Sequence, residues 1–153
     1  MADRPVEVIV SDGEVTQEVA DALARRVSVE PREYVIFIHN TIVPSRSKVL
    51  VETYPLSADS FKTRILVIPS TIGEHFLVHD IMVEGRSQIL ANSAGIPATL
   101  FSEKTSLPST FRDLDSTVNF DVCPVNGKLS VVVENMSSEP QKFLGCFVGS
   151  IVG

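Results

Sequence analysis

Short apolar runs, alternating with polar residues or rich in β-branched side chains, recur along nearly the whole chain, and Pro, Gly, Asn or Ser ends each of them. A period of two is what a sheet with one buried and one wet face requires, so the pattern confines the chain to a β-rich fold. The runs predict about eight strands: Val6 to Val10, Tyr34 to His39, Lys48 to Tyr54, Thr63 to Ile68, Phe76 to Val83, Thr117 to Val122, Lys128 to Glu134 and Lys142 to Val148. The sixth alternates most cleanly, with Val118, Phe120 and Val122 on one face and Thr117, Asn119 and Asp121 on the other. Asn126-Gly127 follows, and both residue types accept positive φ, so strands six and seven are expected to form an antiparallel hairpin.

One helix interrupts the strands. Ser11 and Glu14 have capping-box spacing, Val15, Val19, Ala22 and Leu23 follow at helical intervals, and Arg25-Arg26 complements the C-terminal dipole. The helix is expected to cover a sheet edge or an open end. Pro31, Pro44, Pro55 and Pro69 punctuate the chain as sandwich connections do, and the longest irregular stretch, Asn92 to Ser116, has only Ala98 to Phe101 apolar enough to pack. Few helices and no βαβ alternation leave a sandwich or a barrel, and the expectation is an all-β antiparallel β-sandwich of jelly-roll type, one domain over 1–153.

Bulk properties bound the function. The 153 residues suffice for one core, and 44% hydrophobic against 21% charged is globular composition. A mean hydropathy of +0.21 is high for so small a domain, so some strands are expected to meet another subunit. The net charge of −6 repels a phosphate backbone, and no basic cluster exceeds Arg25-Arg26, so no nucleic-acid partner is expected. No run reaches the ~20 apolar residues of a membrane span, and Met1 to Pro5 lacks a secretory pattern, so synthesis in the cytoplasm is expected. Cys123 and Cys146 are too few for a disulfide framework or an all-cysteine zinc site and are expected to be free, buried thiols.

The chemistry-bearing residues form no recognisable catalytic set. Gly73, His79 and Glu84 resemble part of the cupin metal signature, but Ile81 stands where its second histidine belongs. His75 and His79, on one face of a strand, would lie about 13 Å apart, too far to share an ion. Ser87 follows Gly85 as in a nucleophile elbow but lacks the second glycine, so it reads as a turn serine. Asp80, Glu84, Asp113, Asp115 and Asp121 have no spacing that aims them at one point. Asp80, inside an apolar strand, needs a partner, and Arg64 or Arg86 could supply it. Gly145, Gly149 and Gly153 read as close-approach glycines of a terminal strand, and Asn135-Met136-Ser137 fits a glycosylation sequon but reads as a turn. No cofactor or metal is expected.

Phe61 to Pro69, Phe76 to Gln88, and Val131 to Asn135 leading through Ser137-Ser138 to Phe143-Leu144-Gly145 resemble small β-rich proteins of bacteriophage virions. The resemblance covers about two thirds of the chain, and its motifs are general sandwich grammar. It implies a single jelly-roll capsid, decoration or similar lattice-forming subunit and supplies no catalytic residues. The leading reading is therefore a non-enzymatic structural subunit, a homo-oligomer or part of a larger assembly. A ligand- or carbohydrate-binding sandwich is the runner-up and a degenerate cupin-like metal enzyme the third. Phe101, Phe143, Phe147, Asp80 and Arg86 are the expected contact residues.

Overall fold

The computed structural model describes residues 7–10, 17–26, 33–55, 59–89, 95–102 and 120–152. Within them run β1 (Glu7–Val10), α1 (Gln17–Arg26), β2 (Glu33–Val43), β3 (Lys48–Thr53), β4 (Ser60–Val67), the single turn α2 (Ser70–Gly73), β5 (Phe76–Val83) and β6 (Arg86–Ser87). They are followed by β7 (Ile96–Pro97), a 3₁₀ turn (Ala98–Phe101), β8 (Val122–Cys123), β9 (Leu129–Asn135) and β10 (Gln141–Val152).

One sheet has the order β1-β3-β9-β5-β6, with β7 also paired to β5, and the other has the order β2-β10-β4-β8. All ladders are antiparallel except β1 with β3. The pairings nest: β2 with β10, β3 with β9, β4 with β8, β5 with β6. A ribbon folded at its middle and wrapped over a core gives this order, and it is the jelly roll. β1 extends one sheet beyond the nest, and β7 is a short strap laid along β5.

The nest overturns the expected hairpin of strands six and seven. The Pro124–Gly127 turn forms, with Gly127 N–H donating to the Pro124 carbonyl at 2.9 Å and Asn126 at φ 63°. However, β8 pairs with β4 in one sheet while β9 pairs with β3 and β5 in the other. The turn is a crossing between layers. Gly127 is not at positive φ; it is needed because a Cβ there would lie 2.7 Å from Glu84 Oε1 and 2.8 Å from the Pro124 carbonyl oxygen. The clean alternation fails too: Phe120 is 4% exposed and Val122 46%, although the pattern put them on one face. The rest of that expected strand lies outside the described residues, as do the Ser11/Glu14 capping box and Val15.

β10 is buried from Phe143 to Gly149 without alternation, so both of its faces are covered. One face meets the opposing sheet, and α1 lies against β4 and β10, burying Val19 and Ala22. The helix thus covers a sheet face, where an edge or open end was expected. Glycines let β10 sit this deep. Both Gly145 and Gly149 fall at register shifts, and a Cβ on Gly149 would be 2.1 Å from the Lys62 carbonyl oxygen. This bears out the close-approach reading for these two; Gly153 lies outside the described residues. Glu33 and Arg64, on the strands flanking β10, join at 2.7 and 2.9 Å. Gly149, facing Tyr34 on one side and Thr63 on the other, adds no side chain between them.

Asn135 closes one end of the sandwich. Its Nδ2 donates to the carbonyls of Val43 (3.0 Å), Pro44 (3.3 Å) and Glu139 (2.9 Å), and its Oδ1 accepts Ser137 N–H at 2.8 Å. The sequon asparagine is therefore 0% exposed and its amide is fully occupied, which bears out the turn reading. Asn135→Ala leaves buried carbonyls unpaired and should lower the unfolding free energy by about 2–3 kcal/mol, measured as a shift of the urea midpoint.

Candidate functional site

Sequence reasoning singled out two histidines, a serine, an aspartate and three phenylalanines, and the fold joins the serine to the aspartate without gathering the set at one site. His75 precedes β5, in a turn, and lies 3.4 Å from Glu74 through Nε2. The expected shared strand face with His79 therefore does not exist. His79 sits in the register shift between Val78 and Asp80, 8% exposed, with Nε2 at 2.7 Å from Glu134 Oε1. A carboxylate only accepts, so that nitrogen carries the proton. The shift explains the exposure along β5: Phe76 and Val78 point inward before it, Ile81 and Val83 after it. Glu84, at the far end of β5, faces Lys128 instead. No group of three or more His, Cys, Asp or Glu suited to a metal occurs among the described residues.

Asp80 is held neither by Arg64 nor by Arg86. Its Oδ1 accepts Ser87 Oγ–H at 2.6 Å and Ile81 N–H at 2.8 Å, while Arg64 is committed to Glu33. Ser87 belongs to the strand β6, not to a turn, and its hydroxyl also reaches the Ile89 carbonyl at 2.5 Å. Phe101, Phe143 and Phe147 are 2%, 0% and 0% exposed. They were expected at a subunit contact, and the structure corrects this: their apolar area is already buried within the chain itself. Phe143 stacks edge-on against Phe76, with ring centroids 5.2 Å apart.

Cys123 and Cys146 are free and buried, as expected. Burial, aided by the charge of Glu84, pushes the Cys123 thiol up to about 11. Burial alone pushes Cys146 up to about 12. The unfolded chain loses these protons near 9.0 and the folded one later, so this contribution to stability is whole below pH 9.0 and declines as pH rises towards 12. The slope of unfolding free energy against pH above 9.0 should be shallower in Cys146→Ala than in the parent.

A cleft of about 410 Å³ opens where the edges of the two sheets meet, lined by Val83, Glu84, Arg86, Asp121, Val122 and Pro124. The first three come from the β5–β6 hairpin and the last three from the segment around β8. The hairpin loop is two residues, Glu84 at φ 52° and Gly85 at φ 79°, the signature of a type I′ turn. Glu84 Oε1 accepts Lys128 N–H at 2.5 Å. Lys128 Nζ in turn pairs with the buried Glu52 at 3.1 Å, and Tyr54 donates to the same carboxylate at 3.3 Å. Across the cleft Gln88 grips Asp121 twice: its Oε1 accepts Asp121 N–H at 2.7 Å and its Nε2 donates to Oδ2 at 3.2 Å.

Of the five carboxylates without informative spacing, Asp113 and Asp115 lie outside the described residues, and the fold brings Glu84 and Asp121 to this cleft, together with Arg86, which was expected at a subunit contact. Gln88 and Pro124 were not singled out as site residues, and Val122 was read as one of the residues on one face of the sixth strand. The one local signal was Glu84-Gly85 itself, a two-residue turn with a glutamate where Asn or Asp is favoured.

Fold and site together define a jelly-roll β-sandwich with a polar cleft at its rim. No family model, curated protein or solved structure matches the chain. No helix among the described residues is long and apolar enough to cross a membrane.

Proposed function

We propose that this chain is a non-enzymatic structural subunit that self-assembles or decorates a larger particle such as a phage virion. The observation that carries the reading is apolar area left outside a well-filled core. Tyr34 and Ile42 on β2 are 57% and 58% exposed, and Val152 on the neighbouring β10 is 39% exposed. Side chains of this size leave water when a second copy covers them. The jelly roll supports the same reading, because its two rigid sheets present broad faces for lattice contacts, and the resemblance to virion proteins supplies the kind of particle. The contact set moves accordingly from the three buried phenylalanines, and from Arg86 at the cleft in the other sheet, to the β2 side chains.

Sedimentation velocity at micromolar concentration tests this. A trimer or larger species that shrinks in Tyr34→Asp or Ile42→Asp supports the reading, since both side chains are exposed and tolerate the change without loss of fold. A parent protein that stays monomeric across the range overturns it.

A further inference from the structure

We propose that the cleft between the β5–β6 hairpin and the β8 segment binds a small, uncharged polyhydroxylated ligand, a mono- or disaccharide, independently of any assembly contact. Its size lies in the range of small-molecule sites. Both carboxylates are fixed in advance through one oxygen each, Glu84 by Lys128 N–H and Asp121 by Gln88. Each has a second oxygen available to accept from a hydroxyl, and Arg86, exposed on β6, brings guanidinium donors for hydroxyl or ring oxygens. Val83, Val122 and Pro124 supply apolar surface against which the C–H face of a sugar ring can lie.

The charge pattern selects the ligand class. Two carboxylates disfavour a phosphate or carboxylate ligand, and the guanidinium beside them disfavours an ammonium. The opposing signs leave hydrogen bonding to neutral hydroxyls as the interaction that all three groups can make at once. The local backbone is shaped around the carboxylate as well. Glu84 occupies a left-handed conformation that a non-glycine residue adopts only at an energetic cost. Glycine at position 127 leaves room beside the Pro124 carbonyl oxygen, 2.8 Å from where a Cβ would stand, and beside Glu84 Oε1, 2.7 Å from it. The β5–β6 turn and the turn between β8 and β9 thus both accommodate one acidic side chain that no core packing requires.

Saturation-transfer NMR and titration calorimetry with glucose, galactose, mannose and N-acetylglucosamine, beside glucosamine and glucose 6-phosphate as charged probes, test the proposal. At least one neutral sugar should bind at millimolar concentration or below, with backbone amide shifts in 1H–15N correlation spectra confined to 83–88 and 121–123. Arg86→Ala and Glu84→Gln should each weaken that sugar by about tenfold. Arg86 is exposed, and the glutamine amide oxygen still accepts Lys128 N–H, so both variants keep the fold and should keep the parent's oligomeric state. The proposal falls if no neutral sugar binds, if only a charged probe binds, if the shifts map elsewhere, or if both variants bind as the parent does. Sedimentation of the same samples reads the assembly reading separately, so either can fail alone.

Discussion

Phe147→Ala should destabilise the folded protein by about 3–5 kcal/mol, the range for removing a fully buried aromatic ring from a core. Phe147 is 0% exposed, sits at the centre of β10, and is paired on both sides, to Ile36 of β2 and Leu66 of β4. The cavity cannot collapse easily, because strands on both sides fix the backbone there and α1 packs against β10. Urea denaturation should show a lower midpoint with little change in slope. The protein that remains folded should keep the parent's sedimentation coefficient, since the ring reaches no surface. A folded variant with unchanged stability and a smaller oligomer would return this residue to the subunit contact and refute its placement in the core.

Gly149→Ala should cost about 3 kcal/mol or more, above the usual range for one added methyl, because the atom it meets is backbone. The new Cβ would fall 2.1 Å from the Lys62 carbonyl oxygen and 2.8 Å from Thr63 Cα, so β4 must separate from β10 to admit it. That separation also strains the Glu33–Arg64 pair, whose arginine approaches from β4. Gly145→Ala provides the internal comparison: its Cβ would stand 3.0 Å from the Val67 carbonyl oxygen, a contact that a small shift relieves. Its cost should be nearer 1 kcal/mol. Thermal melts of the two variants side by side check the order, and equal losses would show that the Gly149 approach is not the tight one.

Strands whose burial is set by their own alternation were legible in the sequence. Phe76–Val83 is found with the boundaries expected, Lys48 to Tyr54 ends one residue earlier, and Lys128 to Glu134 is shifted by one residue at both ends. The jelly roll was also within reach, since short strands with few helices leave few architectures. Pairing was not legible. Asn126-Gly127 signals a tight turn, and the turn is there, but a local signal cannot say that the chain changes sheets across it. The three phenylalanines were misplaced for a related reason. An apolar run such as Phe143 to Val148 reads alike whether a second copy covers its outer face or the same chain does, and here α1 packs on β10. The cleft was invisible because Glu84 and Asp121 are 37 positions apart in number (121 minus 84) and meet through the nesting of strands.

That nesting also orders events during synthesis. β2 is among the first strands made, yet its ladder partner is β10, and β10 occupies the middle of its sheet with β4 on the other side. A nascent chain that has not emerged beyond Val152 therefore holds two strands with a gap between them, and neither can close a layer. Closure of this sheet must wait until β10 has been made, and until then the apolar edges of β2 and β4 are open to chaperones or to neighbouring nascent chains.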